Sequence, residues 1–239
     1  MGYTDVFERH EIKYRITAAQ KRVLLGEIAE HMKFDQYGRS TIRNLYYDTD
    51  TFRLVRRSNE KPVYKEKLRV RSYRQLEAGD EVFVELKKKY RSVVYKRRIA
   101  MPESEAMQWL AGGREPLVRT QIEREIEYFR QYYRDLHPAV FLSYEREAYR
   151  AVDGTDFRLT FDENILARTE RLSLCEPVGG QRILPPGIVL MELKTAGGIP
   201  LWMTELLNRH HIFQSSFSKY GTAYQEIICA ERGELQYVG

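Results

Sequence analysis

Charged and apolar residues alternate along several short stretches of the chain. In the clearest one, basic side chains occupy every second position, with Lys65, Lys67, Arg69 and Arg71 set against Leu68 and Val70. Successive side chains of a β-strand point to opposite faces, so this alternation predicts a strand with one cationic and one apolar face. Cations that are neighbours on one face repel each other, which indicates either a solvated face or a face that binds an anion.

The same alternation recurs along the chain and predicts a sheet that is ionic on one face and apolar on the other. The ionic positions include Glu11, Lys13, Glu85, Lys87, Lys96, Arg98, Tyr144, Arg146, Arg158, Thr160, Asp162, Glu192 and Lys194. The positions between them are residues such as Leu86, Phe161 and Leu193, which are expected to pack beneath helices.

Eight strands are predicted, at residues 5–16, 41–48, 63–73, 81–90, 92–101, 139–151, 157–162 and 188–195. Helices are predicted at residues 18–32, 102–112, 120–137, 200–209 and 221–231, and residues 168–186 are predicted as loop with one short strand. Thr17 is a typical N-cap residue, and the pattern from Thr120 to Glu123 is that of a capping box.

Eight strands are enough to close a small barrel. The predicted fold is therefore α+β, an eight-stranded antiparallel β-barrel that forms a tunnel with a polar, cationic lumen and helices packed outside. A cationic lumen of this kind requires a polyanion, a metal ion or both. The pattern alone leaves open a second interpretation, a flat sheet with a solvated ionic face.

Composition limits the functional classes. The chain has 239 residues, with 39 Lys and Arg against 34 Asp and Glu, for a net charge of +5. This near balance argues against a general nucleic-acid binder. Two cysteines and the absence of a long apolar run predict a cytoplasmic protein without a membrane segment. Residues 1–239 are interpreted as a single domain.

Seven short motifs follow one another along the chain: ERHEIKY (8–14), NLYYD (44–48), KLRVR (67–71), VELK (84–87), YER (144–146), MELK (191–194) and SFSKY (216–220). In this order they resemble the catalytic domain of the vacuolar transporter chaperone (VTC) polyphosphate polymerases, which are triphosphate tunnel metalloenzymes. The resemblance implies a tunnel that binds a nucleoside triphosphate and polyphosphate together with Mn²⁺ or Mg²⁺.

The resemblance also assigns roles to individual residues. The phosphate-binding, catalytic cations would be Lys13, Arg69, Arg71, Lys87, Arg146, Arg158 and Lys219. Lys96, Tyr144 and Ser218 would make further substrate contacts, and Glu192 would bind the metal, with Glu11 and Glu85 as further candidates. These residue types suit the task, because phosphates bind charge-assisted donors and Mg²⁺ or Mn²⁺ binds hard oxygen.

Two departures from the family pattern shape the expected function. Arg9 stands where the wider superfamily has the first Glu of a Glu-x-Glu-x-Lys signature. The loss of one metal carboxylate disfavours a metal-rich hydrolase and favours the polymerase branch. The chain also lacks the sensor domain and membrane helices of the eukaryotic complex, so inositol pyrophosphate regulation and translocation are not implied.

The leading hypothesis is an ATP-dependent polyphosphate polymerase that transfers the terminal phosphoryl group of ATP to a polyphosphate chain. One alternative is an inorganic or nucleoside triphosphatase of the same fold, with water as the acceptor. Another is a noncatalytic polyphosphate-binding module, although a carboxylate at Glu192 would not help pure anion binding. The aromatic residues show no stacking platform for RNA. Whether a membrane protein is a partner is left open.

Overall fold

An antiparallel sheet is the main feature of the computed structural model, which describes residues 10–77, 79–91, 93–113 and 120–233. Its strands are β1 (His10–Thr17), β2 (Met32–Asp48), β3 (Tyr64–Ser72), β4 (Glu81–Tyr90), β5 (Val93–Pro102), β6 (His137–Ala151), β7 (Arg158–Arg168), β8 (Gln181–Arg182) and β9 (Ile188–Thr195). Their order in the sheet is β1-β9-β7-β6-β2-β3-β4-β5, and the short β8 pairs with β7. This arrangement confirms the predicted α+β class with eight main antiparallel strands.

The sheet curls without closing through backbone hydrogen bonds. Among the described residues, β1 and β5 are its two edges and do not pair with each other. Side chains nevertheless span the gap, because Lys87 Nζ on β4 lies 3.3 Å from Glu11 Oε2 on β1. The curl therefore gives the sheet a concave and a convex side.

Helices occupy both sides of the sheet. They are α1 (Ala18–Glu27), α2 (Arg53–Asn59), α3 (Glu103–Leu110), α4 (Gln121–Tyr133), α5 (Leu201–Arg209), α6 (Lys219–Ala223) and α7 (Cys229–Glu231), with a π-helical turn (Tyr224–Ile228) between the last two. The predicted capping residues begin two of them, because Thr17 and Thr120 both form complete capping boxes.

Apolar strand residues are buried on the convex side, as the alternation predicts. Leu68 and Val70 pack in one cluster with Trp109 of α3 and Phe129 of α4. Leu159, Phe161, Met191 and Leu193 pack in another with Leu24 of α1 and with Met203 and Leu206 of α5. All six strand residues are fully buried, so the predicted face assignment is confirmed.

A third apolar cluster lies on the concave side, at one end of the curl. It joins Tyr46 of β2 and Leu142 of β6 to Tyr220 of α6 and to Val55 of α2. The concave side is thus not ionic along its whole length, because α2, α6 and the π turn fill one end of it. This helical plug accounts for the position of the ionic groups, which occupy the remainder.

Helix α2 was not predicted, and its cap explains why. Its N-cap residue, Phe52, has a left-handed backbone and makes no side-chain cap. The free backbone N–H groups are instead satisfied by Asp48, which accepts hydrogen bonds from Leu54 at 2.8 Å and Val55 at 3.0 Å. Asp48 also accepts one from the Tyr220 hydroxyl at 2.9 Å, which ties α6 to the same strand end.

Strand and helix ends differ from the predictions elsewhere. α1 ends at Glu27 rather than at Met32, and β2 begins at Met32 rather than at Thr41, with a register shift between Phe34 and Arg39. β7 extends to Arg168. Residues 5–9 of the first predicted strand, including Arg9, lie outside the described residues, and the single-domain assignment stays a prediction. None of the described helices has the length and hydropathy needed to cross a membrane.

Candidate functional site

Cations and carboxylates from most strands meet on the concave side of the sheet. Among the described residues, ten basic groups converge there: Lys13, Lys67, Arg69, Arg71, Lys87, Lys96, Arg98, Arg146, Lys194 and Lys219. Four carboxylates lie between them: Glu11, Glu85, Asp162 and Glu192. The concave side is therefore strongly cationic but contains internal counter-charges.

Glu85 is the centre of the first group of ion pairs, called here the Glu85 cluster. Its side chain is 1% exposed. Arg69 donates to its Oε2 from Nε at 2.8 Å and from Nη2 at 2.7 Å. Lys96 and Arg98 lie 2.7 and 3.4 Å from Oε1 without hydrogen-bond geometry, and Arg71 lies 3.9 Å from Oε2. One buried carboxylate thus lies within ion-pair distance of four basic groups, and the cluster keeps a net positive charge.

The charges of the Glu85 cluster set one another's ionisation. Burial alone would raise the pKa of Glu85, but Arg69 and Arg71 beside it hold that pKa well below its usual range. Burial would lower the pKa of Arg69, yet Glu85 raises it. At Lys96 burial outweighs the attraction of Glu85, and the pKa falls to about 8. The carboxylate is thus ionised at neutral pH, whereas Lys96 titrates just above it.

A second group, called here the Glu192 cluster, joins β6, β7 and β9 to α6. Arg146 pairs with Asp162 through two hydrogen bonds, of 2.6 and 2.7 Å. Lys219 Nζ lies 2.6 Å from Asp162 Oδ2 and 3.2 Å from Glu192 Oε1. Lys194 Nζ lies 3.0 Å from Glu192 Oε2. Two adjacent carboxylates are thereby held together by three cations.

Ionisation in the Glu192 cluster follows the same pattern. Burial would raise the pKa of Glu192, but Lys219 and Lys194 keep it well below its usual range. Burial would likewise raise the pKa of Asp162, but Arg146 and Lys219 lower it. Burial would lower the pKa of Lys219, yet the two carboxylates raise it. Both acids are therefore ionised at neutral pH.

Neutral side chains orient the two arginines of β3. Arg71 donates from Nε to Asn44 Oδ1 at 2.9 Å and from Nη2 to the Tyr144 hydroxyl at 3.1 Å. Arg69 donates from Nη1 to the Tyr46 hydroxyl at 3.0 Å. Burial would raise the pKa of Tyr46, but the surrounding cations, Arg69 foremost, lower it to about 8. Both guanidinium groups are thus oriented by neutral side chains as well as by Glu85.

Residues 214–219, called here the strap, run from β1 towards β3 on the concave side. The Ser215 N–H donates to the Lys13 carbonyl at 2.8 Å, and Lys13 Nζ donates to a strap carbonyl at 2.8 Å. Lys67 Nζ donates to Ser218 Oγ at 3.1 Å. The strap therefore brings polar groups from late in the sequence to the strands that carry the cations.

The structure brings together most of the site residues predicted from the sequence. Lys13, Arg69, Arg71, Lys87, Lys96, Arg146, Lys219, Tyr144, Ser218, Glu11, Glu85 and Glu192 all contact the network described above. Arg158 does not, because it lies exposed at the start of β7 with its Nε 3.7 Å from Asp156. Its role in phosphate binding, like those of the others, stays a prediction.

Four members of the network lay outside the residues assigned by resemblance. They are Lys67, Arg98, Asp162 and Lys194. The alternation pattern places all four on the ionic face, so it is the better guide to which residues meet. The family motifs point instead to the residues expected to touch phosphate.

The carboxylates of the site are candidate metal ligands. Within the described part of the chain, no group of three or more His, Cys, Asp or Glu residues is arranged to hold a metal ion. Mg²⁺ and Mn²⁺ are often held by one or two carboxylates together with substrate phosphate oxygens. Glu192 and Glu11 fit that shared arrangement, because their charges interact and both face the concave side. They do not form a metal site of protein ligands alone.

Triphosphate affinity is expected to fall as the pH rises through about 8. Burial lowers the pKa of Lys67 to about 8 and that of Lys96 to about 8, and Tyr46 ionises in the same range. Each deprotonation removes one positive charge or adds one negative charge, so every one weakens anion binding. Calorimetric titration with tripolyphosphate from about pH 7 to about pH 9 measures the effect.

A Lys67→Arg variant is the matched control for this pH dependence. Arginine stays protonated throughout the range, so the variant should lose less affinity than the unmodified protein. Ionisation of the ligand is common to both proteins and cancels in the comparison. Identical pH profiles would contradict the role of Lys67.

Comparisons with known proteins agree with this architecture. A family profile described as the VTC domain matches residues 8–228. Among solved structures, a candidate adenylate cyclase from Bacillus halodurans is similar at 16% identity and a TM-score of 0.55, over 90% of this chain and 96% of the other. At that identity the likeness shows the fold alone.

A weaker structural likeness is to a candidate adenylyl cyclase from Hippeastrum, described as having a dominant triphosphatase activity. It has 16% identity and a TM-score of 0.49, over 96% of this chain and 98% of the other, too low a score to carry an argument. A search of curated proteins gave no significant match.

Proposed function

The chain belongs to the VTC domain family, and from this premise we propose that it is an ATP-dependent polyphosphate polymerase. The observation that carries the proposal is the convergence of partly buried cations from opposite parts of a curled sheet. Lys87 on β4 meets Glu11 on β1, and Lys219 from the strap meets Asp162 on β7. Such a site surrounds a linear polyanion on several sides, as a chain of phosphates requires.

The arginines and the lysines of the site would contact phosphate in different ways. Arg69 and Arg71 present planar forks that match two phosphate oxygens at once. Lys13, Lys87 and Lys219 supply point charges that tolerate the varying positions of a flexible chain. When a triphosphate binds, these groups exchange contacts with internal carboxylates for contacts with phosphate oxygens. Phosphoryl transfer requires mainly this positioning and neutralisation of charge.

The reaction in this proposal is a displacement at the terminal phosphorus of ATP. A terminal oxygen of the acceptor phosphate chain forms a bond to the γ-phosphorus. The bond from that phosphorus to the β–γ bridging oxygen breaks, and its electron pair leaves with ADP. The attacking oxygen is already anionic, so no side chain has to remove a proton.

None of the four carboxylates of the site is suited to act as a general base that activates water. Hydrolysis is helped by a general base whose pKa lies near the working pH. Glu85, Glu192 and Asp162 instead have lowered pKa values because cations surround them. The pKa of Glu11 is also lowered, chiefly by Lys87. These carboxylates are therefore weak bases. A phosphate acceptor with an anionic oxygen does not need a base, because it has no proton to lose.

A divalent cation would be held by Glu192 and Glu11 together with phosphate oxygens. When bound, Mn²⁺ or Mg²⁺ would neutralise charge that builds up on the phosphate oxygens during transfer. The basic side chains perform the remaining tasks of binding the two substrates and aligning them.

Product analysis after incubation with ATP and Mn²⁺ tests the proposed function. ADP together with lengthening phosphate chains, resolved by gel and phosphorus NMR, supports the polymerase. ADP with orthophosphate alone would identify a triphosphatase, and no turnover would leave a binding module. An Arg71→Ala variant should lose the product, whereas Arg97→Ala should keep it, because Arg97 pairs with Glu125 of α4 at 3.1 Å.

A further inference from the structure

A group of basic side chains lies beyond both clusters, where β3 begins and β4 ends. Residues 53–65 contain five basic residues and one acidic residue, Glu60. Arg57, Lys61, Lys65 and Lys89 are called here the basic rim. Arg57 and Lys61 are exposed, and the other two are partly exposed. None of them belongs to the residues assigned to the proposed reaction.

The basic rim continues the cationic rows of the concave side. Lys65 lies directly opposite Lys89 in the pairing of β3 with β4. Two residues further along the same strands, Lys67 lies opposite Lys87. Because side chains two apart on a strand share a face, these pairs form one continuous track.

Helix α2 adds the outer part of the basic rim. Arg57 and Lys65 line one small cavity beside Tyr133. The pKa of Lys65 is lowered by burial first and then by Lys89 and other lysines, among them Lys61. These effects require the charges to be near one another. The track therefore runs from the interior to the surface without a gap in positive charge.

Glu66 lines the same cavity as Arg57 and Lys65, but it is engaged by tyrosine hydroxyls. In the described part of the chain, no carboxylate forms an ion pair with any of the four members of the basic rim. Glu66, the acid nearest in sequence to Lys65, accepts hydrogen bonds from Tyr64 at 2.6 Å and Tyr133 at 2.7 Å. The hydrogen bond of Lys65 is to the Ser58 carbonyl at 3.4 Å.

This arrangement differs from the Glu85 cluster, where each of four cations lies within ion-pair distance of one buried carboxylate. Like charges placed directly opposite each other on paired strands are destabilising. The pairing of β3 with β4 therefore creates a repulsion between Lys65 and Lys89 that a bound polyanion would relieve. A ligand limited to three phosphates and held in the two clusters would leave this repulsion in place.

We propose that the basic rim is an external subsite for the part of a long polyphosphate chain that extends beyond the concave side. The proposal rests on the proposed function, because it takes the same polymer as the ligand. A flexible linear polyanion fits the site, since the track is continuous and its members are positive charges, three lysines and one arginine. The rim would hold the chain between successive additions.

Chain-length-dependent binding tests the subsite. The rim variant carries Arg57→Gln, Lys61→Gln and Lys89→Gln. Its matched control carries Arg22→Gln, Arg182→Gln and Arg209→Gln, three exposed substitutions with the same change in net charge. Dissociation constants are measured by calorimetry for tripolyphosphate and for a linear polyphosphate long enough to extend past β3 and β4.

The rim variant should bind the long chain about tenfold more weakly than the control variant does, as expected for three exposed ion pairs. Its affinity for tripolyphosphate should be unchanged. Counterion release adds a second readout, because the slope of log affinity against log salt should become shallower by about 2 for the long chain.

Several results would overturn the subsite. Equal losses in the rim and control variants would indicate a net-charge effect, and equal losses for both ligands would place the rim within the main site. Single-stranded DNA bound as tightly as polyphosphate, and weakened as much by the rim variant, would show a general anion surface. Failure of the proposed function is distinguishable, since it appears as missing chain growth and not as altered binding.

Discussion

Glu192→Gln is expected to reduce the metal-dependent turnover of ATP by at least about 100-fold. Glu192 would hold the divalent cation, and the amide supplies no negative charge for it. The variant should still fold, because Asp162 continues to pair with Arg146 and Lys219. Triphosphate binding without metal should stay intact or become tighter, since one charge that competes for Lys194 has been removed.

The control for this prediction is Glu125→Gln on the convex side. Glu125 also pairs with two cations, Arg97 at 3.1 Å and Lys88 at 3.8 Å, but lies away from the concave groups. The Glu125→Gln variant should turn over ATP as fast as the unmodified protein does. Near-normal turnover of Glu192→Gln at saturating Mn²⁺ would exclude Glu192 as the metal ligand and direct attention to Glu11 and Glu85.

Glu85→Gln should cost the ligand-free protein about 3–5 kcal/mol in the free energy of unfolding. The substitution keeps the shape of the side chain but leaves Arg69, Arg71, Lys96 and Arg98 without their shared carboxylate. Most of the loss comes from Arg69 and Arg71, the more buried of the four, because Glu85 no longer offsets the desolvation of their charges. Urea denaturation measures the loss.

Tripolyphosphate should restore much of the stability of the Glu85→Gln variant. A bound polyanion replaces the missing counter-charge, so the ligand should raise the melting temperature of the variant more than that of the unmodified protein. Glu125→Gln should lose less than about 1 kcal/mol, as for partly exposed pairs. If tripolyphosphate raised the melting temperatures of Glu85→Gln and Glu125→Gln by the same amount, the proposal that phosphate takes the place of Glu85 would be contradicted.

The alternation of residue types predicted the face of nearly every strand. Side chains alternate between the two faces of a strand, so a buried apolar face and an ionic face together fix the register of each strand. A slip of one residue would bury charges and expose Leu68 or Phe161. The capping boxes at Thr17 and Thr120 were predicted for a similar reason, because their hydrogen bonds are local in sequence.

Features that depend on distant residues were not predicted. Helix α2 is capped by Asp48 rather than by its own N-cap residue, and Asp48 also binds Tyr220 from the far end of the sequence. The plug at one end of the concave side follows from that contact. The ion pair between Lys219 and Asp162 likewise could not be predicted from the spacing of residues in the sequence. The alternation shows which face of a strand a charge occupies but not which residue it pairs with.

The strap has a consequence for the order in which the molecule is made. β1 pairs with β9, and Lys219 enters the Glu192 cluster after all the strands have been synthesised. A nascent chain on the ribosome therefore carries many of the cations of the site before it carries the residues that bring them together. Until residue 219 has emerged, the growing chain cannot form the ion pairs of Lys219 with Asp162 and Glu192, so the Glu192 cluster is completed only after the last strand has been made.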